Sequence, residues 1–420
     1  MVLGLKKRNP RLSPSTHPKG ADESRGGNSV HTWFTREGLN LLFILAFVLA
    51  GAVLRDVNLL VLLGGIIIGM MLMQWRICHR SLLLISTRRQ LPLSAQVAFP
   101  FEVKVQVTNR RKWLPAWLIC VEEQVERVEP YPSRLPTGTT LVIPWVGAEQ
   151  TRQSVYRCSL DFRGRYRFGP ICITSSFPFG LMRSWCYQNN SKELIVHPKL
   201  GHLIGKWENL VRMDREGLAK TSSRAGVNEG EFYGLRHWQQ GDSRRWIHWR
   251  TTARLNELAV RQFEQQQRLN MAILIDLWKP NAASDQEPIE SIEKMISFTA
   301  TLIDSLSRQG NHRIAVAVAG EQLRVSSRIQ NRAVMNAVLD DLSVATAGQN
   351  PDLSGAVEQM MPILADSHSL VVISNRSAQW DQLSMKRSSE SRRLVLDRLQ
   401  SRWLNVSTGD IDAYFRMDAP

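Results

Sequence analysis

Acidic side chains are in short supply in this chain of 420 residues, where 38 Asp and Glu face 53 Lys and Arg and leave a net charge of +15. That balance suits an anionic partner, either nucleic acid or the inner face of a membrane. Basic flanks also set the topology of membrane proteins, so charge alone chooses neither. Cysteine is scarce. The five present, Cys78, Cys120, Cys158, Cys172 and Cys186, are odd in number and contain no C-x-x-C pair. This excludes a zinc ribbon and a complete disulfide framework and fits a reducing compartment. Catalytic signatures are missing too: no G-x-S-x-G, Walker loop or H-E-x-x-H occurs, nor does a helix-turn-helix, RRM or zinc finger. Hydrophobic residues are not lacking. At 43%, with 22% charged, they are enough to bury cores and exclude a disordered chain.

Two apolar runs stand near the start, Leu39–Leu54 (LNLLFILAFVLAGAVL) and Val57–Trp75 (VNLLVLLGGIIIGMMLMQW), separated only by Arg55 and Asp56. Their lengths and the tight polar turn predict a transmembrane hairpin over residues 37–76. A second span follows the first at once and no small-residue cleavage pattern intervenes, which argues against a signal peptide. Basic residues Lys6, Lys7, Arg8, Arg11, Lys19, Arg25 and Arg36 precede the hairpin, and Arg76, Arg80, Arg88 and Arg89 follow it. The positive-inside rule then puts both ends in the cytoplasm, with the Arg55-Asp56 turn outside, as in a multi-pass membrane protein. Gly64, Gly65 and Gly69 offer sites of close helix approach. Residues 1–36, rich in Pro, Ser, Gly and Lys/Arg, read as a disordered basic tail on anionic lipid.

From residue 91 to 200 the pattern is β. FEVKVQVTN alternates Phe101, Val103, Val105 and Val107 with polar residues, and TLVIPWV, QSVYRCSLDF, GRYRFGPICIT and ELIVHP follow between Gly, Pro, Asn and Ser breaks. Short strands at this spacing predict a β-sandwich-like domain. The pair Glu122-Glu123 lies on one of these strands, where neighbours face opposite sides, and it reads as a solvated edge. A linker is expected over 201–230. Over 270–420 the apolar strands MAILIDL, RIAVAVA and SLVVIS alternate with amphipathic helices. One helix sets Ile289, Ile292, Ile296, Phe298, Leu302 and Leu306 broadly on one side. This order calls for a mainly parallel sheet covered on both faces.

Between these domains, over 231–264, comes the densest feature: EFYGLRHWQQGDSRRWIHWRTTARLNELAVRQFE. Arg236, Arg244, Arg245, Arg250, Arg254 and Arg261 can fork onto carboxylates or phosphates, and Trp238, Trp246 and Trp249 offer flat faces. The pattern E-F-x-x-L-R-x-aromatic-x-x-G-D-x-x-R-x-I-x-W-x-x-x-A-R resembles the signature of a bacterial membrane-protein family known as domain of unknown function 58. Glu231, Phe232, Leu235, Arg236, Gly241, Asp242, Arg245, Ile247, Trp249, Ala253 and Arg254 fall in register with it. RGRYRFGP and FPFGLMRSW resemble the family's preceding region, with Phe177 at its usual acidic position; Phe177 and Phe179 read as turn and core packing. The resemblance implies a von Willebrand factor A-like domain after the signature and a partnership with a MoxR-type AAA+ ATPase.

Such a domain, where it holds Mg²⁺, needs Asp-x-Ser-x-Ser, a Thr and a further Asp as hard oxygen ligands. Here Asp276-Leu277-Trp278-Lys279-Pro280, Asn350-Pro351-Asp352-Leu353 and Ser374-Asn375-Arg376 occupy the corresponding segments. Only Asp276 survives, beside Lys279 and Arg376, so the metal site is degenerate and no metal or cofactor is expected. His237, His248 and His312 have no partner motif, and no catalytic residue is assigned. For the signature, one reading makes Glu231, Arg236, Gly241, Asp242, Arg245, Trp249, Arg250 and Arg254 a partner- or anion-binding surface. The other pairs Asp242 with arginine, lets Gly241 turn and uses Trp249 to plug a domain joint, so that Trp249→Ala impairs folding. The structural reading is the main expectation, with Arg250 at an exposed edge. The whole predicts a membrane-anchored, cytoplasm-facing protein-binding adaptor or assembly factor, not an enzyme, with membrane lipid and a protein as partners and nucleic acid less favoured. The alternatives are a membrane-associated nucleic-acid or anion binder and a hydrolase with an unrecognised site.

Overall fold

The computed structural model describes residues 29–55, 57–134, 139–205, 207, 232–240, 242–263, 270–280, 287–309, 313–329, 331–364, 369–380 and 400–417. Two compact units emerge, the first formed chiefly by residues 1–199 and the second by 200–341 and 345–419.

The first unit opens with strand β1 (His31–Phe34) and two apolar helices, α1 (Arg36–Arg55) and α2 (Asn58–Leu83). Both helices are long and apolar enough to cross a membrane. They pack on each other where Gly64 meets Leu49: a Cβ on Gly64 would lie 2.9 Å from the leucine side chain, whereas Gly65 and Gly69 have open space. The expected tail differs from the structure, because His31–Phe34 is a strand, paired antiparallel with Met182–Trp185. Residues 1–28 lie outside the described residues. Helix α2 also runs eight residues past Trp75. Its last two turns leave the apolar run but bury Cys78, Ser81 and Leu82, so packing, not hydropathy, sets where the helix ends.

Ten strands follow: β2 (Ile85–Gln90), β3 (Ser94–Gln96), β4 (Phe101–Asn109), β5 (Ala116–Glu129), β6 (Ser133–Arg134), β7 (Thr139–Val146), β8 (Thr151–Cys158), β9 (Gly164–Ser175), β10 (Met182–Gln188) and β11 (Lys192–His197). One sheet runs β1-β10-β9-β11-β3, with β5 joining β9 to β6 and β7; β2-β4-β8 form a second. Val103, Val105 and Val107 of β4 reach a core shared with Val121, Phe168, Ile171 and Val196 of the larger sheet, which is sandwich packing. The alternation of FEVKVQVTN is kept. A helix-side hydrogen bond joins span and sandwich: the Gln74 amide donates to the Met182 carbonyl at 3.3 Å.

Glu123 overturns the solvated-edge reading. It is fully buried and accepts from Arg89 Nε at 2.9 Å and from the Tyr156 hydroxyl. Arg89 is no membrane flank either, since alternation along β2 exposes Arg88 and buries Arg89. Its remaining donors reach the carbonyls of Phe168 (3.1 Å), Gly169 (3.3 Å) and Asn190 (3.0 Å). Glu122, on the opposite face, pairs with Arg183 at 2.6 Å. Burial, and then the neighbouring Glu123 charge, push the Tyr156 hydroxyl far above its ordinary pKa, so it remains a donor.

The second unit contains β12 (His202–Leu203), β13 (Phe232–His237), α3 (Trp249–Leu255), β14 (Ala259–Phe263), β15 (Asn270–Asp276), α4 (Glu287–Gln309), β16 (Arg313–Ala319), β17 (Leu323–Ile329), α5 (Arg332–Val344), α6 (Leu353–Leu364), β18 (Ser369–Ser374), β19 (Gln400–Asn405) and β20 (Phe415–Arg416). The main sheet is ordered β17-β16-β15-β18-β19. All its pairs are parallel except β16–β17, which makes it a mixed sheet. Helix α6 lays Leu353, Ala356, Val357, Met360 and Leu364 over Ala272, Leu274, Ala315 and Ala317, and small side chains on the strands admit the helix closely. Ile292, Ile296, Phe298, Leu302 and Leu306 of α4 are buried as the spacing required. The expected linker starts later than residue 201, because β12 pairs with β20 and Trp207 is buried.

Because removing one partner of a buried ion pair strands the other charge, Glu123→Ala should cost about 3–5 kcal/mol. Denaturant unfolding of the detergent-solubilised chain measures it; a loss under about 1 kcal/mol would show the pair to be dispensable.

Candidate functional site

The signature segment folds as an antiparallel hairpin carrying a helical insert. β13 pairs with β14 through Leu235 opposite Arg261, Arg236 opposite Val260 and His237 opposite Ala259. Between the strands lie a single 3-10 turn, Arg244–Trp246, and α3. A small apolar nucleus, Ile247, Ala259 and Val260, is buried beneath them, and Ile247 forms a bridge to Val260.

Polar side chains fix the insert. Arg236 forks onto Asp242, Nη2 to Oδ1 at 2.6 Å and Nη1 to Oδ2 at 2.7 Å, and the Gln239 amide adds 2.9 Å to Oδ2. The Arg236 fork, helped by that amide, holds the Asp242 carboxyl below the usual carboxylate range. His248 caps α3: its Nδ1 lies 2.8 Å from Thr251 Oγ1 and accepts from the Thr251 amide. Asn256 ends the helix in the left-handed conformation at φ 54°, which asparagine tolerates better than most residues. Thus Asp242 pairs with arginine and His248 is a satisfied structural group. His237 meets Glu257 at 3.0 Å on the surface.

Trp249 is a correction. It was expected to plug a joint and is instead 65% exposed as the first residue of α3. Arg244, Arg245, Arg250, Arg254 and Arg261 are exposed as well. None of these five has an ion-pair partner among the described residues. The structure therefore brings together Arg236 and Asp242 as the frame and leaves Arg245, Trp249, Arg250 and Arg254 exposed on the insert. Glu231, Gly241 and His312 lie outside the described residues. Phe177 stacks on Trp117 with ring centres 5.8 Å apart, while Phe179 is exposed and not core.

Asp276 ends the central strand β15, fully buried. Ser374 Oγ donates to its Oδ2 at 2.7 Å; Arg376 Nε reaches Oδ2 at 2.7 Å and Nη2 reaches Oδ1 at 3.3 Å. The guanidinium occupies both carboxylate oxygens, where a dication would have to sit. Burial raises the Asp276 pKa against the lowering effects of Ser374 and Arg376. The Arg376 head also lies over the Trp278 ring, 5.6 Å from its centre. Single-residue reading missed Ser374; its position at the end of β18, in register with Asp276, is the signal that finds it.

The family described as "Protein of unknown function DUF58" matches residues 234–399, which include most of the hairpin. The uncharacterized protein YeaD of Bacillus subtilis is 23% identical over 211 residues, covering 49% of this chain and 49% of the relative; the match thus spans about half of either protein. Among solved structures, the C-terminal domain of wzt is 15% identical and covers 28% of this chain and 75% of its own, with a TM-score of 0.22. The superoxide reductase of Ignicoccus hospitalis is 16% identical, covering 27% of this chain and 81% of its own, with a TM-score of 0.19. TM-scores this low carry no likeness of fold.

Two outcomes follow from this geometry. Truncating an exposed side chain costs little, so Trp249→Ala should melt within about 0.5 kcal/mol of wild type, whereas Asp242→Ala, which strands Arg236, should lower the melting temperature clearly. Adding Mg²⁺ should leave the melting temperature of the full chain unchanged, in wild type and in Arg376→Ala alike, because one carboxylate without its companion oxygen ligands does not hold the ion. A Mg²⁺-dependent rise in wild type, abolished by Asp276→Ala, would contradict the occupancy of that carboxylate by arginine.

Proposed function

We propose that this chain is a membrane-anchored adaptor that binds a protein partner through the exposed face of its arginine-tryptophan hairpin. The observation that carries the reading is a division of labour inside one segment. Arg236, Asp242 and His248 are spent on holding the insert, while Trp249, Arg250 and Arg254 stand exposed on it. Aromatic and arginine side chains are the anchors most often found at interface hot spots, and a rigid frame lowers the ordering cost of binding.

The two long apolar helices support placement in a bacterial inner membrane, and basic residues on both sides support cytoplasmic soluble units. For the second unit, the order β17-β16-β15-β18-β19 with one antiparallel edge strand, and an aspartate ending the central strand, support a von Willebrand factor A-like reading with Arg376 in the metal's place. The resemblance of the signature supports a MoxR-type AAA+ ATPase as the partner.

The exposed cations also favour a second reading, an anion or nucleic-acid binder. Affinity capture of the detergent-solubilised chain with and without ATP, identified by mass spectrometry, separates the two. The adaptor reading expects an AAA+ ATPase retained by wild type and reduced at least tenfold by Trp249→Ala or Arg250→Ala. Recovery of nucleic acid instead, with affinity falling steeply as salt rises, would overturn it.

A further inference from the structure

The sandwich of the first unit carries an aromatic surface that the hairpin function does not use. Trp117 of β5 stands opposite Trp145 of β7, ring centres 6.3 Å apart, and stacks on Phe177; Arg152 lies 4.8 Å over the Trp145 ring. Trp113, 90% exposed, and Leu114 project from the loop between β4 and β5, and Phe179 projects from the loop between β9 and β10. Large apolar side chains grouped this way on a water-facing surface mark a docking site.

Both loops are tied to the helices that are able to cross a membrane. Arg111 Nη2 donates to the Ser81 carbonyl at 3.1 Å, and the Arg110 amide donates to the Leu84 carbonyl at 2.9 Å. The Ser176 carbonyl accepts from Gln74, and the Gly180 carbonyl accepts from Thr35 Oγ1 at 2.6 Å, one residue before α1. At about 1.5 Å per helical residue, Ser81 lies about 9 Å beyond Trp75 along α2. A headgroup layer reaches about 5–8 Å outside the hydrocarbon, so Ser81 lies at its outer edge, within the reach of a tryptophan side chain. The loop NRRKWLP also places Arg110 and Lys112, both exposed, directly before Trp113. Tryptophan prefers the boundary between hydrocarbon and water, and cations beside it are drawn to anionic headgroups.

We infer that the sandwich lies against the membrane leaflet from which α2 emerges, inserting Trp113, Leu114 and Phe179 among anionic phospholipids while Arg110 and Lys112 meet their phosphates. The inference rests on the membrane placement proposed above. The occupant is lipid, not a second protein, because the same hydrogen bonds that hold these loops to α2 hold them at the bilayer surface.

Full-length protein in nanodiscs made with phospholipids brominated near the glycerol end of the acyl chain tests it. The emission of one tryptophan is isolated by subtracting the spectrum of its Phe variant, Trp113→Phe or Trp75→Phe. Trp113 emission should fall at least twofold against unbrominated anionic nanodiscs, and most of that quenching should be lost in neutral lipid or in the Arg110→Glu/Lys112→Glu variant. Quenching of Trp75 with none of Trp113 would overturn the leaflet contact alone, as would a Trp113 shielded by a second protein. Failure to quench Trp75 would overturn the membrane placement with it.

Discussion

One buried guanidinium joins the two sheets of the sandwich. Arg89 belongs to the three-stranded sheet and Glu123 to the larger one, and Tyr156, which completes the carboxylate's hydrogen bonding, returns to the first. The charge is affordable only because its donors are satisfied by Glu123 and three backbone carbonyls, and the Phe168 ring lies 5.5 Å from the guanidinium carbon. Gln188 makes a second stitch, accepting from the Thr87 amide and hydroxyl and donating to the Ile85 carbonyl. Apolar faces alone would let two sheets slide; directional bonds between them fix the register in which the valines of β4 meet the larger sheet.

The second unit uses the same chemistry twice more, at Asp242 with Arg236 and at Asp276 with Arg376. In each case a planar fork satisfies a carboxylate that would otherwise be short of partners. Depth distinguishes them. Asp242 is near the surface and organises a loop, whereas Asp276 is buried at the end of the central strand and its arginine lies over a tryptophan face.

Much of the architecture was legible in the chain. Two apolar runs, the alternation of FEVKVQVTN and the strand-helix order after residue 270 each carry a period that survives without tertiary context. What was not legible turns on facing. Arg88 and Arg89 are adjacent cations, and only the position of β2 in the sandwich decides which one is buried; Glu122 and Glu123 pose the same ambiguity. Trp249 looked like core because tryptophan usually is, yet seven residues of helix lie over a nucleus too small to cover it. The extension of α2 past the apolar run was not legible, because hydropathy stops at Trp75 while the carbonyl that Cys78 meets, Ser175, comes from a strand far along the chain. Asp276 and Arg376 sit 100 positions apart, beyond the reach of any local pattern, though the missing metal ligands pointed to them.

The continuity of α2 from its apolar stretch into the sandwich has a mechanical consequence. A domain on a flexible tether samples many orientations and loses that freedom when it binds. Here the helix passes into the sandwich without a break, and Gln74, Cys78 and Ser81 are bonded or buried within it. Tilt or rotation of the helical pair would therefore turn the sandwich by the same angle, as a shaft turns a wheel keyed to it.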